Sequence, residues 1–257
     1  MSSSQHYIFL DLPFFVIIAL VRTFIDIMDL PAPSIIRDLK RRLFTPLVIL
    51  AEILGVLSVV LIGVWVAYYP VRSGFHWDLL GKIYIHPFIM TVGMVFVFGN
   101  STLLYRISDR LSIRPKLVKT CHVVMMMIVL ACTAVGIYLA VTSIIGKTLD
   151  NVHAVLGIAT TTLFVLQFIC ALFIFVTPCA PEWLKVSYLH LHAFIGILTL
   201  VSATATCLTG IQVGQAFFGS HPAISLSLTM FIPAFTAIII YILSNEVYRA
   251  KRNHQIN

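Results

Sequence analysis

Charged residues are scarce in this chain. They make up 11% of its 257 residues, against 60% hydrophobic residues, and the mean hydropathy is +1.00. A water-soluble domain of this length has too little interior to cover so much apolar surface. The composition therefore excludes the soluble classes of protein and predicts an integral, multi-pass membrane protein.

Cysteine is too sparse for a disulfide framework. The chain has five cysteines, an odd number, of which three fall inside predicted membrane spans and no two fall on the predicted outer side. This placement argues against disulfide bonds. A basic segment followed by a small-residue cleavage site is also missing near residue 1, so we predict no removable signal peptide.

Six apolar runs are long enough to cross a hydrocarbon core about 30 Å thick, which takes about 20 helical residues. Short polar segments separate them, so neighbouring helices are expected to be antiparallel. The predicted fold class is all-α, a six-helix membrane bundle over residues 44–247, followed by a cytosolic tail at 248–257. The predicted spans are 46–69, 83–105, 120–146, 151–177, 186–212 and 222–244.

Residues 1–43 are less apolar than the six spans. Leu12–Val21 is uncharged but only ten residues long, and charged residues bracket it. A run that short favours a helix lying in the membrane interface over a seventh span, and a disordered end is the third alternative. We therefore predict an interfacial or cytosolic segment before the bundle.

Basic residues outnumber acidic ones, 17 to 10, and their placement indicates the topology. If the first span starts in the cytosol, thirteen Lys and Arg residues flank the inner ends and three lie in outer loops. This asymmetry follows the positive-inside rule and argues against nucleic acid as a partner. It places both termini and the predicted 106–119 loop in the cytosol. The three outer residues are Arg72, Lys82 and Lys147.

Histidine is frequent for a membrane core, and five of the nine histidines lie near the starts of spans. Polar rings at such depth are costly and usually functional. Because alternate spans run in opposite directions, His86 and His153 share the outer level, whereas His122 and His192 share the inner level. Facing pairs of rings suit bis-histidine haem iron. Zinc usually needs four ligands, and no cysteine or carboxylate lies beside the outer pair at helical spacing.

The stretch YLHLHAFIGI holds two histidines two positions apart. His190 and His192 point about 200° apart on a helix, so only one of them can face the bundle. The motif H-A-x-x-G-I begins at His153 and again at His192, and it places Gly157 and Gly196 one turn further on. A flat macrocycle against a helix needs such a residue without a side chain. The repeat favours His192 as the inner ligand, although small residues also suit ordinary helix packing.

The motifs IHPFIM, KLVKTCH, VHAVLG and LHAFIG contain these four histidines, and LLYRI and TPCAPEWLK lie in the predicted inner loops. With them, residues 46–250 resemble the cytochrome b561 family, and the SNEVYRAKR ending is similar to its shorter, domain-containing branch. The resemblance implies two b-type haems, held by His86 with His153 and by His122 with His192. It also implies ascorbate as cytosolic donor, monodehydroascorbate or ferric iron as acceptor, and a plasma membrane or endomembrane (ER, vesicle or lysosome-like) location.

Basic residues near the inner pair are candidates to bind an anionic donor. Lys119 lies three residues before His122, and Lys185 lies seven before His192; both match basic positions that relatives use around cytosolic ascorbate. Setting the topology and anchoring to lipid are the alternative roles of such residues. The weaker donor candidates are Lys116 and Arg106, the outer cofactor contacts are Lys82 and Asn151, and the candidates for acceptor binding are His76 and His221.

A second interpretation needs no haem: the chain would be a transporter that relays metal ions or protons along its histidines. The histidines cluster at two levels and form no continuous path, which favours electron transfer. The sequence is compatible with a monomer and with a homodimer.

We expect His192→Ala to lower the haem content to about one per chain, because each iron needs both axial rings. His190→Ala is expected to keep both haems and nearly unchanged spectra, since its ring points to another face of the helix. The pyridine haemochrome assay, expressed per protein, compares the two variants. If His190→Ala loses a haem and His192→Ala keeps two, the wrong helix face has been chosen.

Overall fold

The computed structural model describes residues 34–73, 81–143, 151–178, 180–218 and 222–248. Every regular element in these ranges is helical, which confirms the all-α class. The predicted interfacial segment around Leu12–Val21 lies outside the described residues. The helices are α1 (Ser34–Ser73), α2 (Gly81–Met90), α3 (Phe98–Leu111), α4 (Pro115–Thr142), α5 (Val152–Ala171), α6 (Glu182–Phe218) and α7 (Pro222–Ser244).

Three short elements complete the described chain. A π-helical segment, Thr91–Val97, joins α2 to α3, a second one, Leu172–Val176, follows α5, and a 3-10 turn, Glu246–Tyr248, follows α7. The second membrane span therefore runs without interruption through α2, the first π-helical segment and α3.

Six helices of the described chain are long and apolar enough to cross a membrane, which confirms the predicted number of spans. The predicted loop at 106–119 is wrong, since α3 continues to Leu111 and α4 already begins at Pro115. A membrane helix can continue beyond the bilayer into a charged segment, because its backbone groups are hydrogen-bonded within the helix and need no change of partner at the membrane surface. The chain turns at Ser112, whose left-handed φ of 53° ends α3, and Pro115 suits the first helical position of α4.

Residue contacts divide the chain into two units, Met1–Arg42 and Leu43–Asn257. The described part of the first unit is the start of α1, where Arg41 and Asp38 form an exposed ion pair of 3.8 Å. The second unit contains the helical bundle and its apolar core. Its largest fully buried side chains include Phe98, Phe235, Leu200, Leu228, Ile232 and Ile239.

A second buried cluster closes one end of this bundle. Phe44, Leu103 and Tyr248 pack together, with the rings of Phe44 and Tyr248 centred 5.2 Å apart. Arg106 is only 8% exposed, and its guanidinium donates a hydrogen bond to the carbonyl of Leu243. The last carbonyls of a helix have no partner within it. Arg106 therefore caps α7 and ties it to α3.

We expect Arg106→Leu to lower the free energy of unfolding by about 2 kcal/mol, because it removes a charged donor and leaves a buried carbonyl unsatisfied. Arg114→Leu is the matched control, since Arg114 is exposed just before α4 and exposed substitutions usually change stability by less than about 0.5 kcal/mol. Thermal unfolding in detergent measures both variants. An Arg106→Leu protein as stable as the control would contradict the capping role.

Candidate functional site

Two histidine rings face each other near one end of the bundle. His86 lies in α2 and His153 in the first turn of α5; their ring centres are 6.1 Å apart and their planes meet at 85°. Nδ1 of His86 lies 2.8 Å from the carbonyl oxygen of Gly136 in α4. Nδ1 of His153 lies 3.0 Å from that of Thr206 in α6. A carbonyl only accepts, so Nδ1 carries the proton in both rings and Nε2 keeps its lone pair.

A second pair of rings lies toward the opposite end. His122 in α4 and His192 in α6 have ring centres 6.3 Å apart and planes at 77°. Nδ1 of His122 donates to the carbonyl oxygen of Ser101 at 3.0 Å and lies 2.8 Å from the hydroxyl of the same residue. His192 differs, because its Nδ1 is buried without a hydrogen-bond partner. His190 is exposed, so His192 is the histidine of this stretch that faces the bundle.

The hydrogen bonds of the rings define two levels. Gly136, which accepts from the ring of His86, lies 14 residues after His122 on α4, which is about 21 Å of helix. The same number of residues separates His192 from Thr206 on α6. Each bond joins the early part of one helix to the late part of its neighbour, as antiparallel helices require. The two pairs are those that the span directions predict.

Each pair has the separation that two axial ligands of one iron need. Two metal–imidazole bonds of about 2.0–2.1 Å place the centres of opposed rings about 6 Å apart, and the observed separations are 6.1 and 6.3 Å. A carbonyl that accepts from Nδ1 is also the usual outer partner of a metal-bound histidine. Among the described residues, no three His, Cys, Asp or Glu side chains are placed so that together they could hold a metal ion. Two imidazoles per site fit bis-histidine haem.

Glycines give the rings of one pair their space. A Cβ at Gly210 of α6 would lie 2.8 Å from Cε1 and 3.1 Å from Nδ1 of His153. A Cβ at Gly136 would overlap the sulfur of Met90 and lie 3.8 Å from Nδ1 of His86. A side chain at either position would displace an axial ring or its neighbour. Sequence reasoning missed both glycines, because they approach the histidines from adjacent helices and lie far from them in the chain.

The two glycines of the H-A-x-x-G motif lie between α5 and α6. A Cβ at Gly157 would lie 3.5 Å from Cγ2 of Thr206, and one at Gly196 would lie 3.5 Å from Nε2 of Gln167. Both are ordinary van der Waals distances, so the packing of the protein alone does not require glycine there. Their role beneath a macrocycle stays a prediction.

Aromatic side chains surround the His122–His192 pair. They come from α3, from the π-helical segment after α5 and from α6. Sequence reasoning missed those of α3 and the π-helical segment because these segments are distant from the histidines they contact, whereas the one of α6 lies one turn before His192 and could have been found from that spacing. Lys119 joins them, since its ammonium donates to the carbonyl of Phe175. The ring-centre distances are 5.2 Å from Tyr105 to His122, 5.4 Å from Phe175 to His192 and 6.1 Å from Tyr188 to His192.

The other predicted contact residues are engaged in different ways. Lys185 forms a 3.4 Å ion pair with Glu182 in the first turn of α6. The side chain of Asn151 accepts from a backbone N–H in the first turn of α5 at 2.8 Å, and so caps that helix. Arg106 caps α7, and Lys116 is exposed on α4. The side chain of Lys82 and the residues His76 and His221 lie outside the described part of the chain.

A bundle of six membrane helices with a facing histidine pair at each end defines a transmembrane protein of the bis-histidine haem class. The model of the eukaryotic cytochrome b561 family matches residues 85–218, more than half of the chain, and this segment contains all four histidines. The chain belongs to the cytochrome b561 family, and this membership implies haem b as its cofactor.

Relatives of known activity cover most of the chain. The human (Homo sapiens) lysosomal membrane ascorbate-dependent ferrireductase CYB561A3 is 30% identical over 74% of this chain and 84% of its own length. The plasma membrane ascorbate-dependent reductase CYBRD1 of Mus musculus is 25% identical, over 81% and 76%. The transmembrane ascorbate-dependent reductase CYB561 of Sus scrofa is 28% identical, over 77% and 82%.

We expect Gly210→Ala to weaken haem binding at the His86–His153 pair about tenfold or more, the usual effect of disturbing the support of a metal ligand. The added methyl group would lie 2.8 Å from the ring of His153. Gly214→Ala, one turn further along α6, is the matched control, because its methyl group would strike Trp65 and no histidine. Haem per protein is measured for both variants. Equal haem loss in the two, or none in either, would show that the contact with His153 is unimportant.

Proposed function

We propose that this protein is an oxidoreductase that moves electrons across a membrane through two b-type haems. His86 and His153 hold one haem, and His122 and His192 hold the other. Ascorbate is the cytosolic donor, and monodehydroascorbate or ferric iron is the acceptor on the opposite side. The observation that carries this proposal is the pair of ring separations, 6.1 and 6.3 Å, at opposite ends of one bundle. The names of the relatives support ascorbate dependence and reductase activity.

The chain keeps the axial rings neutral and oriented. A bound haem iron supplies one-electron chemistry at each level. The carbonyls of Gly136, Thr206 and Ser101 hold a proton on Nδ1 of three rings and leave Nε2 as the ligand atom. These bonds also restrict the rotation of the three rings.

Most of the buried side chains between the two levels are apolar, and a few, such as Thr133 and Thr204, are threonines. Phe98 and Phe164 are 2% and 3% exposed, and their ring centres lie 5.9 Å apart. Such close packing excludes water and fixes the distance between the ring pairs. Two levels divide a hydrocarbon core of about 30 Å into shorter intervals for electron transfer.

The donor site is proposed beside the His122–His192 pair. Ascorbate is a monoanion near pH 7, and Lys119 supplies a cation that already bonds to the carbonyl of Phe175, a ring neighbour of His192. Tyr105 lies against His122 and Tyr188 against His192, so each ring of the pair has a tyrosine as a neighbour. A cation and phenol groups together suit an anionic enediol.

The remaining predicted contacts divide between the two membrane faces. Lys185 and Lys116 are secondary candidates for the donor side, whereas Arg106 is assigned to the packing of α3 against α7. On the acceptor side, the proposed residues are Lys82, Asn151, His76 and His221. The named locations of the relatives favour a lysosomal or plasma membrane.

Transport by a histidine relay is less well supported. The two ring pairs are separated by about 21 Å of α4, and buried apolar residues such as Met126 and Val129 occupy that helix between them. A relay needs a continuous chain of polar groups between the rings, whereas the buried hydroxyls of Thr133 and Thr204 bond to the carbonyl of Val129 and to Thr236, and to no histidine ring.

Proteoliposomes that contain ascorbate test the proposed direction of transfer. We expect the haem absorbance to show reduction by internal ascorbate and reoxidation when ferricyanide or a ferric chelate is added outside. His122→Ala should abolish reduction by internal ascorbate, because it removes a ligand on the donor side. His86→Ala should abolish reoxidation from outside, because it removes a ligand on the acceptor side. Rapid transfer in either variant, or a colourless folded wild-type protein, would rule out the proposed route.

We also expect Lys119→Gln to raise the ascorbate concentration needed for half-maximal reduction about tenfold, the effect of losing a charge-assisted hydrogen bond of roughly 1.5–3 kcal/mol. Arg114→Gln is the matched control, because it removes the same charge from an exposed position just before the same helix and has no assigned donor role. The rate of haem reduction at several ascorbate concentrations measures both. Equal effects of the two substitutions would indicate a general charge effect and no specific contact.

A further inference from the structure

The Nδ1 hydrogen bonds of the four histidines follow a reciprocal pattern with one member missing. His86 and His122 each donate to the span that carries the other. His153 donates to the span that carries His192. The same reciprocity would have His192 donate back to the span of His153. Instead, Nδ1 of His192 is buried without a partner.

The spacing of the accepting carbonyls indicates where the missing partner belongs. Each accepting carbonyl lies 14 or 15 residues after the histidine of its own span. The same number counted from His153 leads to Gln167 and Phe168 in α5. Of these two side chains, only that of Gln167 carries a hydrogen-bond acceptor. The observed spacing is 14 residues from His122 to Gly136 and from His192 to Thr206, and 15 residues from His86 to Ser101.

Gln167 is in contact with the helix turn that carries His192. Its Nε2 donates to the carbonyl of His192 at 3.3 Å and lies 3.5 Å from where a Cβ on Gly196 would be. Its Oε1 is buried without a partner. The α5–α6 contact thus contains one unpaired buried ring nitrogen and one unpaired buried amide oxygen. Leaving both unpaired is costly, and one bond between them would satisfy the two groups.

We propose that Gln167 is the positioning residue of His192, and that its side-chain carbonyl accepts the hydrogen bond of Nδ1 when haem is bound. This inference rests on the proposed role of His192 as a haem ligand. The bond keeps the proton on Nδ1 and directs Nε2 toward the ring of His122. For the other three rings a backbone carbonyl accepts the Nδ1 hydrogen bond, whereas here a side-chain amide accepts it. A single substitution can therefore change the ligand strength of His192.

The bond has a measurable electronic consequence. An acceptor on Nδ1–H makes the imidazole a stronger ligand, which stabilises oxidised iron and lowers the reduction potential. Removing the acceptor should therefore raise the potential of the haem at the His122–His192 pair and weaken its binding. The haem at the His86–His153 pair keeps its own carbonyl partners and should not change.

Gln167→Leu removes the acceptor at similar volume, and Gln167→Glu retains an acceptor oxygen. We expect Gln167→Leu to raise the equilibrium constant for reduction of one haem about tenfold, which raises its reduction potential by about 59 mV for one electron. The low-spin EPR signal of that haem alone should also change. Gln167→Glu should keep the wild-type signal and a potential no higher than that of the wild type. The His192→Ala spectrum identifies which signal belongs to this pair. If Gln167→Leu does not fold, the same measurements are made on Gln167→Ala, and the same changes are expected.

Thr133→Val is the matched control, since it deletes a buried hydroxyl of α4 whose bond goes to its own helix at Val129. An unchanged potential and EPR signal in Gln167→Leu would overturn the inference. So would equal changes at both haems, or equal changes in the Leu and Glu variants. If the wild-type protein binds two haems and substitutions of Gln167 change neither the potential nor the EPR signal, only the positioning role is rejected. If the wild-type protein binds no haem, the proposed function is rejected as well.

Discussion

The structure depends on the hydrogen bond from Nδ1 of a buried histidine to a carbonyl of the adjacent helix. An imidazole inside a membrane is costly unless its N–H is paired. The carbonyls of Gly136, Thr206 and Ser101 provide that pairing, and each bond joins two antiparallel spans at a fixed level. In these three rings the same bond leaves Nε2 unprotonated. A single interaction therefore orients the ring, sets its tautomer and fixes the relative position of the two helices.

Other features of the bundle serve this interaction. A ring can reach across to a neighbouring backbone only where side chains leave room, and Gly210 leaves that room for His153. The hydroxyl of Ser101 lies beside the carbonyl that holds His122. The packed aromatic pair of Phe98 and Phe164 keeps the levels apart. Lys119, in the first turns of α4, donates to the carbonyl of Phe175 beside the His122–His192 pair.

The number of spans and the pairing of the four histidines were predictable, because hydropathy depends on local composition and antiparallel order follows from short connections. The loop at 106–119 was wrong, since a helix can continue beyond the bilayer until a residue such as Ser112 ends it. The roles of Gly136, Gly210 and Gln167 were not predictable. Each depends on which face an adjacent helix presents, which is set by packing between segments that are far apart in the chain.

The central claim is that each ring pair holds one iron between two imidazoles. The most direct measurement combines the haem content of the purified wild-type protein with its EPR spectrum in the oxidised state. We expect two haems per chain and two separate low-spin ferric signals, since both irons have two strong axial nitrogen ligands. One haem per chain, or a high-spin signal from either site, would contradict the claim.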